Sequence, residues 1–198
     1  MLDVGCGSGV LLAAAGALGA AAVCGVDIEA DAVAASARLL ATLDLDGDVE
    51  THHGYLFDPV RSRRFDLILA NLPHFPMEPA PIDGRLPSWS CGGVDGRALL
   101  DPFIASIRGH LARHGRAVVL HNAFVDLEAT RTAAGRRGLR VSVADTLLMP
   151  LPLAKLARMT PPILRRESGR SIHRFGAYAF GEVHVLAIDR DSSRNGPQ

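Results

Sequence analysis

The sequence predicts an α/β domain with a mostly parallel sheet, and three observations support this prediction. Short apolar runs alternate with helical patterns from the first residue onward, as in folds whose parallel strands are covered on both faces. A glycine-rich loop joins the first apolar run to the first helical segment. The composition agrees, since 48% of the 198 residues are hydrophobic and 21% are charged, which is typical of globular proteins.

The elements follow in the order expected of such a sheet. The predicted strands are short apolar runs at residues 2–4, 22–26, 49–52, 65–70, 116–121, 139–148 and 182–188. The predicted helices span residues 10–18, 30–43, 99–113 and 125–137. In the third helix, Leu99, Phe103, Ile107 and Leu111 recur at every fourth position, which forms one apolar face.

One domain is the expectation for this length. We expect it to span residues 1–189, followed by a polar, flexible tail at residues 190–198. The first strand offers only residues 2–4 before the glycines begin, whereas a strand usually has about five or six residues. The sequence therefore predicts a truncated first strand, for which a misassigned start and a fragment of a longer chain are the two explanations.

Charge and cysteine content exclude several classes of protein. The 21 basic and 21 acidic residues give a net charge of zero, which favours neither a nucleic-acid coat nor a membrane-surface protein. The cysteines, Cys6, Cys24 and Cys91, form no Cys-x-x-Cys pair, which argues against a disulfide framework or a structural zinc site. Glycines interrupt the longest apolar stretch, residues 10–26, so no membrane span is expected. We expect a cytoplasmic protein without a bound metal.

The glycine loop is the first candidate site. Asp3, Gly5, Gly7 and Gly9 stand between a strand and a helix, where glycines let the backbone approach a ligand and the helix offers free amides. The spacing of the last two glycines departs from the dinucleotide fingerprint, which has two residues between them. Asp27 ends the second strand 18 residues after Gly9, a position from which a carboxylate binds ribose hydroxyls.

This pattern resembles the first two motifs of the class I methyltransferases that use S-adenosyl-L-methionine. The resemblance implies a Rossmann-like sheet with an antiparallel last strand, and a cofactor held by Asp3, the three loop glycines and Asp27. In these families an acid after the third strand often binds the adenine, but here Tyr55 stands in its place. Tyr55 could stack on the base or accept a hydrogen bond through its hydroxyl, and core packing is the alternative.

A second motif follows the fourth strand, at the carboxyl edge where open α/β sheets bind ligands. The run Asn71, Leu72, Pro73, His74 resembles the asparagine-proline-proline-aromatic motif of the release-factor glutamine and adenine N6 methyltransferases. The resemblance implies that Asn71, beside the cofactor, and a carbonyl of the proline turn hold a planar nitrogen. His74, which replaces the aromatic residue, could stack on the acceptor or act as a general base, and a structural or solvent-facing role is the alternative.

Two further segments resemble the glutamine methyltransferase group. Glu78 and Pro79 match a glutamate-proline pair found there, and residues 90–97 contain its glycine-glycine-x-aspartate-glycine sequence. The alternative for Asp95 is the start of the next helix, where aspartate is a favourable cap. Both interpretations are compatible.

A basic insertion separates the last two predicted strands. Residues 149–181 hold a surplus of positive charge over the single acid Glu167, from Lys155, Arg158, Arg165, Arg166, Arg170 and Arg174. Arginines at this density favour a carboxylate or phosphate partner, and a solvated surface is the alternative. We expect the insertion near the active site and a methyl acceptor that is anionic, with nucleic acid not favoured and no membrane partner.

Three functions are compatible with these motifs. The first is methylation of a planar amide or amine nitrogen, resembling protein glutamine or base methylation. The second is O- or N-methylation of a small carboxylated metabolite, favoured by His74 and the arginines. The third is a binding module that holds the cofactor without catalysis.

Overall fold

A computed structural model of the chain describes residues 1–45, 47–79 and 89–191. In these ranges the strands are β1 (Leu2–Val4), β2 (Ala22–Asp27), β3 (Asp48–His53), β4 (Phe65–Ala70), β5 (Leu111–Asn122), β6 (Leu139–Pro150), β7 (Ile172–Phe175) and β8 (Tyr178–Arg190). The α-helices are α1 (Val10–Ala17), α2 (Ala30–Ala41), α3 (Leu100–His110), α4 (Leu127–Arg136), α5 (Leu153–Leu156) and α6 (Pro161–Glu167). The chain divides into two compact units.

The first unit comprises Met1–Asn71, Ser106–Val119 and Ile188–Gln198. Its strands lie in the order β3, β2, β1, β4, β5, and each neighbouring pair is parallel. Because β1 is central, Val4 pairs with both Val26 and Ala70. The residues that follow these strands therefore meet at one edge of the sheet. Leu12, Val23 and Leu40 form a core cluster beneath this edge with Cys6.

The second unit comprises Leu72–Ala105 and Leu120–Ala187. Here β8 lies beside β6, and β7 pairs with β8 as an antiparallel hairpin. Phe75 packs edge-on against Phe124, with ring centroids 5.7 Å apart, and both side chains are buried. The predicted fold class, a mostly parallel α/β sheet with an antiparallel last strand, is confirmed.

Three predicted boundaries are wrong by three residues or more. Helix α3 ends at His110 rather than Arg113, and β5 begins at Leu111 rather than Arg116, because Leu111 already pairs with Phe65 in β4. The last strand begins at Tyr178 rather than residue 182, because the second half of the predicted insertion folds into the β7–β8 hairpin. Residues 80–88 and most of the predicted tail, residues 192–198, lie outside the described residues. Within the described ranges, no helix combines the length and apolar character needed to cross a bilayer.

Candidate functional site

The glycine loop turns sharply between β1 and α1. Gly5, Gly7 and Gly9 have φ angles of 76°, 53° and 82°, a left-handed conformation that is costly for residues with a Cβ. The Gly5 N–H donates to the carbonyl of Val26 over 2.8 Å, which ties the loop to the end of β2. A Cβ on Gly7 would meet no atom within 4 Å, so the backbone there faces open space.

Ser36 of α2 supports the loop from the other side. Its side chain is fully buried, and its hydroxyl donates to the Gly7 carbonyl over 2.9 Å. A Cβ on Gly9 would come within 2.8 Å of the same hydroxyl. Sequence analysis missed Ser36, for which the available signal is an uncharged polar residue in the middle of an alanine-rich helix.

Asp27 is held rigidly at the end of β2. Its Oδ2 accepts from the Gly7 N–H over 2.8 Å, and its Oδ1 accepts from the Glu29 N–H over 2.9 Å. Each carboxylate oxygen has a second lone pair. These two remaining lone pairs, one on each oxygen, can accept hydrogen bonds from two neighbouring hydroxyls such as those of a ribose.

Asp3 is a buried carboxyl group at the same edge. Neither of its oxygens has a hydrogen-bond partner among the described residues, and the residue is 1% exposed. Burial, reinforced by the negative charge of Asp27, raises the pKa of Asp3 to about 7. A ligand that brings a cationic or N–H group to this edge would satisfy the carboxyl group.

Tyr55 follows β3 at the edge that also holds Asp27. The Gly54 N–H donates to the Asp27 carbonyl over 2.9 Å, which fixes the start of this segment. Tyr55 is 40% exposed, so its ring is not a core side chain. The next residue, Leu56, has a φ of 45°, a strained conformation of the kind found at ligand-binding segments.

Asn71 completes the edge of the first unit. It directly follows Ala70, whose register partner Val4 directly precedes the glycine loop. The side chain is exposed. Asp3, the three loop glycines, Asp27, Tyr55 and Asn71 are thus all brought to one edge by the register of the parallel strands.

Pro73 and His74 follow Leu72, the first residue of the second unit. The surroundings of His74 agree with the structural alternative and not with stacking or general base catalysis. The ring is 7% exposed. Its Nδ1 bonds the Leu72 carbonyl, and its Nε2 accepts from the Asn122 N–H over 2.8 Å. Since Nε2 is the acceptor, the proton lies on Nδ1. Burial lowers the pKa of His74 to about 4, and the charge of Lys155 acts in the same direction.

This geometry binds the His74 ring to the backbone on both sides within its unit. Stacking on an acceptor requires an accessible ring, and general base catalysis requires a free lone pair. The buried ring of His74 offers neither in this arrangement. It instead fixes the turn that follows Asn71 by bonding the backbone on either side. Asn122, which supplies the donor, lies 48 residues later in the chain.

The segment at residues 90–97 packs directly on this turn. The Phe75 N–H donates to the Ser90 carbonyl over 3.1 Å, and the Gly92 N–H donates back to the Phe75 carbonyl over 2.8 Å. A Cβ on Gly92 would lie 2.5 Å from the His74 Cα. The second glycine segment therefore permits a close backbone approach, and Asp95 bonds the Arg97 N–H over 2.9 Å.

The arginines of the predicted insertion lie on the surface of the second unit. Arg165, Arg166, Arg170 and Arg174 are exposed. Arg166 pairs with the insertion's single acid, Glu167, over 2.7 Å. The positive charge of this surface is therefore largely uncompensated within the insertion itself.

Cys24, Glu50 and His52 form a polar cluster that the sequence did not indicate. Their potential ligand atoms lie within 4.8 Å of one another. The guanidinium of Arg63 bonds both oxygens of Glu50, at 2.8 and 3.1 Å, and lies 3.8 Å from the Cys24 sulfur. A metal ion would have to displace this cation, so the geometry favours an ion-pair cluster.

Comparisons with known proteins find several methyltransferases. A family model described as ribosomal protein L11 methyltransferase (PrmA) matches residues 1–74. A Methanocaldococcus jannaschii protein described as a putative protein N5-glutamine methyltransferase is 31% identical over 151 residues, 76% of this chain and 75% of that protein. The ribosomal protein L11 methyltransferase of Alkaliphilus metalliredigens is 40% identical over 72 residues, 36% of this chain but only 22% of that enzyme.

Solved structures show the same fold. The ribosomal protein L11 methylase of Lactobacillus delbrueckii has a TM-score of 0.58 at 21% identity, with 96% of this chain and 68% of that chain covered. The YcgJ protein of Bacillus subtilis has a TM-score of 0.63 at 14% identity, with 98% and 92% covered. The fold, the glycine loop and the long alignment with the Methanocaldococcus jannaschii protein all indicate the same family. The chain belongs to the class I S-adenosylmethionine-dependent methyltransferases, within the group that includes the protein N5-glutamine methyltransferases.

Proposed function

We propose that this enzyme transfers a methyl group to a planar amide nitrogen of a protein, as on a glutamine side chain. The observation that carries the proposal is the position of Asn71. It follows Ala70, whose partner Val4 precedes the glycine loop, so an amide held by Asn71 would face the cofactor. Similarity to a protein described as an N5-glutamine methyltransferase supports the same acceptor.

The first unit offers a fitting cofactor site. The Asp27 carboxylate, oriented by two backbone N–H groups, would accept bonds from the ribose hydroxyls. The open space before Gly7 would admit the amino-acid part, and the orphaned Asp3 carboxyl would be stabilised by its ammonium group. Tyr55 would contact the adenine. When bound, S-adenosylmethionine supplies an electrophilic methyl group on a sulfonium.

The acceptor residues would act by orientation rather than by proton removal. Asn71 would hold the amide through its carboxamide, and the Pro73 turn would offer a carbonyl to the second N–H hydrogen. Asn71 and the Pro73 turn would direct the amide nitrogen toward the methyl group, so that a new N–C bond would replace the C–S bond of the donor, and the nitrogen would then release its proton to water. Positive charge developing on the nitrogen strengthens both hydrogen bonds in the transition state. Alignment of the two reactants can contribute about 7 to 11 kcal/mol.

We assign His74 to positioning in this mechanism. By bonding the Leu72 carbonyl and the Asn122 N–H, it would hold the Pro73 turn in the geometry that binds the amide. An amide nitrogen needs no base to remove its proton. Such an acceptor is therefore compatible with His74, whose lone pair already accepts the Asn122 N–H. A small carboxylated metabolite is the second candidate acceptor, favoured by the exposed arginines of the insertion.

The test is a product analysis. The chain is incubated with S-adenosylmethionine labelled in its methyl group and with purified ribosomal protein L11, a glutamine-containing peptide library, or a mixture of carboxylated metabolites. Acid hydrolysis releases labelled methylamine from N5-methylglutamine but leaves methylated lysine intact. Labelled methylamine from protein or peptide supports the proposal. Label on lysine, or on a metabolite oxygen, would overturn it, and the Asn71→Ala variant is the control for background transfer.

A further inference from the structure

Three buried polar side chains of the second unit form a chain of hydrogen bonds. Thr130 and His121 are fully buried, and Arg97 is 9% exposed. The Arg97 Nη1 donates to the Thr130 hydroxyl oxygen over 3.0 Å, and Nε2 of His121 lies 3.1 Å from the same oxygen. Thr130 can bond His121 in either tautomer, since a hydroxyl both donates and accepts. Without this hydroxyl, Arg97 and His121 would each lose one hydrogen bond.

The His121 end of this chain leads to His74. Asn122 follows His121 at the end of β5. Its backbone N–H donates to Nε2 of His74 over 2.8 Å, and its side-chain Nδ2 donates to the His74 carbonyl over 3.4 Å. The Asn122 N–H belongs to the planar peptide group that joins Asn122 to His121. The anchored His121 ring therefore restrains the direction of the N–H that His74 accepts.

The Arg97 end of the chain also returns to His74. Arg97 follows Gly96, which has a φ of 80°, and a Cβ on Gly96 would lie 2.7 Å from the His74 carbonyl oxygen. The Arg97 Nη1 also donates to the carbonyl of Asp126, the N-cap of α4, over 2.8 Å. The chain thus begins at the His74 ring and ends beside the His74 carbonyl.

We propose that Thr130 and His121 are positioning residues for methyl transfer. They restrain the Asn122 N–H, which orients His74 and with it the turn at Pro73. The proposal rests on the proposed function, in which this turn binds the amide. Side chains that only filled this volume could be apolar, because buried polar groups cost free energy unless they are bonded. A bonded polar network instead holds one arrangement of its members, as the alignment of two reactants requires.

Two substitutions of Thr130 separate the effect of its hydroxyl from that of its shape. Thr130→Val keeps the shape and removes the hydroxyl, whereas Thr130→Ser keeps the hydroxyl and removes a methyl group. We expect Thr130→Val to lower turnover about ten- to a hundredfold, as for a small misplacement of reacting groups, and Thr130→Ser to stay close to the parent. Neither should change the affinity for S-adenosylhomocysteine, whose proposed site lies in the first unit. Thr132→Val, an exposed change in the same helix, is the control.

A second measurement needs no methyl acceptor. Nitrogen NMR of protein labelled in its histidine rings reports which ring nitrogen carries the proton and whether the other accepts a hydrogen bond. The His74→Gln variant assigns the His74 signals. We expect Thr130→Val to shift the Nε2 signal of His74, because its bond to the Asn122 N–H changes, and Thr130→Ser to leave it in place. A merely structural role would lower the stability of both variants without moving this signal.

A double substitution tests whether the two residues act through one path. His121→Phe keeps a ring but removes its bond to Thr130, and it should lower turnover as Thr130→Val does. The double variant should lose no more than the larger of the two single losses, because the residues act as a unit. If His121→Phe does not fold, the two Thr130 variants still test the proposal.

Three results would overturn the positioning role. They are parent-like turnover in Thr130→Val, equal losses of turnover in Thr130→Val and Thr130→Ser, and an unshifted His74 signal in Thr130→Val. Label on lysine or on a metabolite oxygen in the product analysis would contradict the proposed function instead. A shifted His74 signal would in that case still support the link from Thr130 to the turn.

Discussion

The Gly7 N–H donates to Oδ2 of Asp27 over 2.8 Å, so the glycine loop and the acid that ends β2 orient one another. Asp27→Ala removes both the proposed ribose acceptor and this anchor. We expect the variant to bind S-adenosylhomocysteine about 1.5 to 3 kcal/mol more weakly, the usual contribution of hydrogen bonds to a charged group. Calorimetry measures the loss, and circular dichroism confirms the fold. Unchanged affinity in a folded variant would remove Asp27 from the cofactor site.

Alanine substitutions at Gly7 and Gly9 should differ in their effects on stability. A Cβ on Gly7 meets no atom within 4 Å, whereas one on Gly9 meets Ser36 at 2.8 Å. We therefore expect Gly7→Ala to lose cofactor affinity with only about 1 to 2 kcal/mol of backbone strain, and Gly9→Ala to lose more stability. Thermal unfolding and calorimetry on both variants check this order. Equal losses of stability would contradict the contrast.

The buried Asp3 carboxyl group should make the free energy of unfolding fall as pH rises. Its pKa rises from 3.8 to about 7 in the folded state, so between these values the folded chain holds a proton that the unfolded chain has released. The contribution of Asp3 to the free energy of unfolding is therefore lost as pH rises through this window. Asp3→Asn should be more stable than the parent above pH 7 yet bind the cofactor less tightly. The exposed Asp31→Asn supplies the control, and a constant difference across pH would contradict the prediction.

The features that depend on the spacing of nearby residues could be predicted from the sequence. Strands, helices and the glycine loop follow from residue spacing, and the register of β1 with both neighbours brought Asp27 and Asn71 to the expected edge. The surroundings of His74 could not be predicted, because Asn122 lies 48 residues away. Ser36 escaped notice for the same reason, since its contact with the Gly7 carbonyl spans 29 residues.

The buried histidines predict a loss of stability on the acidic side. Burial lowers the pKa of His74 to about 4 and that of His121 to about 3, from 6.5. Below pH 6.5 the unfolded chain binds protons that the folded chain does not, so the free energy of unfolding falls as pH drops from 6.5 toward 4. Denaturant unfolding across this range measures the slope. His74→Gln should reduce it, and an unchanged slope would show that His74 is not buried in its neutral form.

Variants of Asn71 and His74 together distinguish methyl transfer to nitrogen from methyl transfer to oxygen. If Asn71 holds an amide chiefly in the transition state, Asn71→Ala should lower turnover about 10²- to 10³-fold, the usual effect of losing one preorganised contact, while cofactor affinity barely changes. His74→Gln places an amide oxygen where Nε2 accepts the Asn122 N–H but cannot take a proton.

A positioning histidine should therefore be rescued by glutamine and not by phenylalanine, which can accept no hydrogen bond. His74→Gln should keep turnover within about tenfold of the parent, because the turn that follows Asn71 retains its bond to the Asn122 N–H. A general base would behave differently, since both substitutions would cost about 10²- to 10⁴-fold and would remove a limb near neutral pH from the rate profile. Turnover and pH profiles of the two variants on one accepted substrate distinguish these outcomes. Equal and severe loss in both, with the fold intact, would return His74 to the role of base and favour a hydroxyl acceptor.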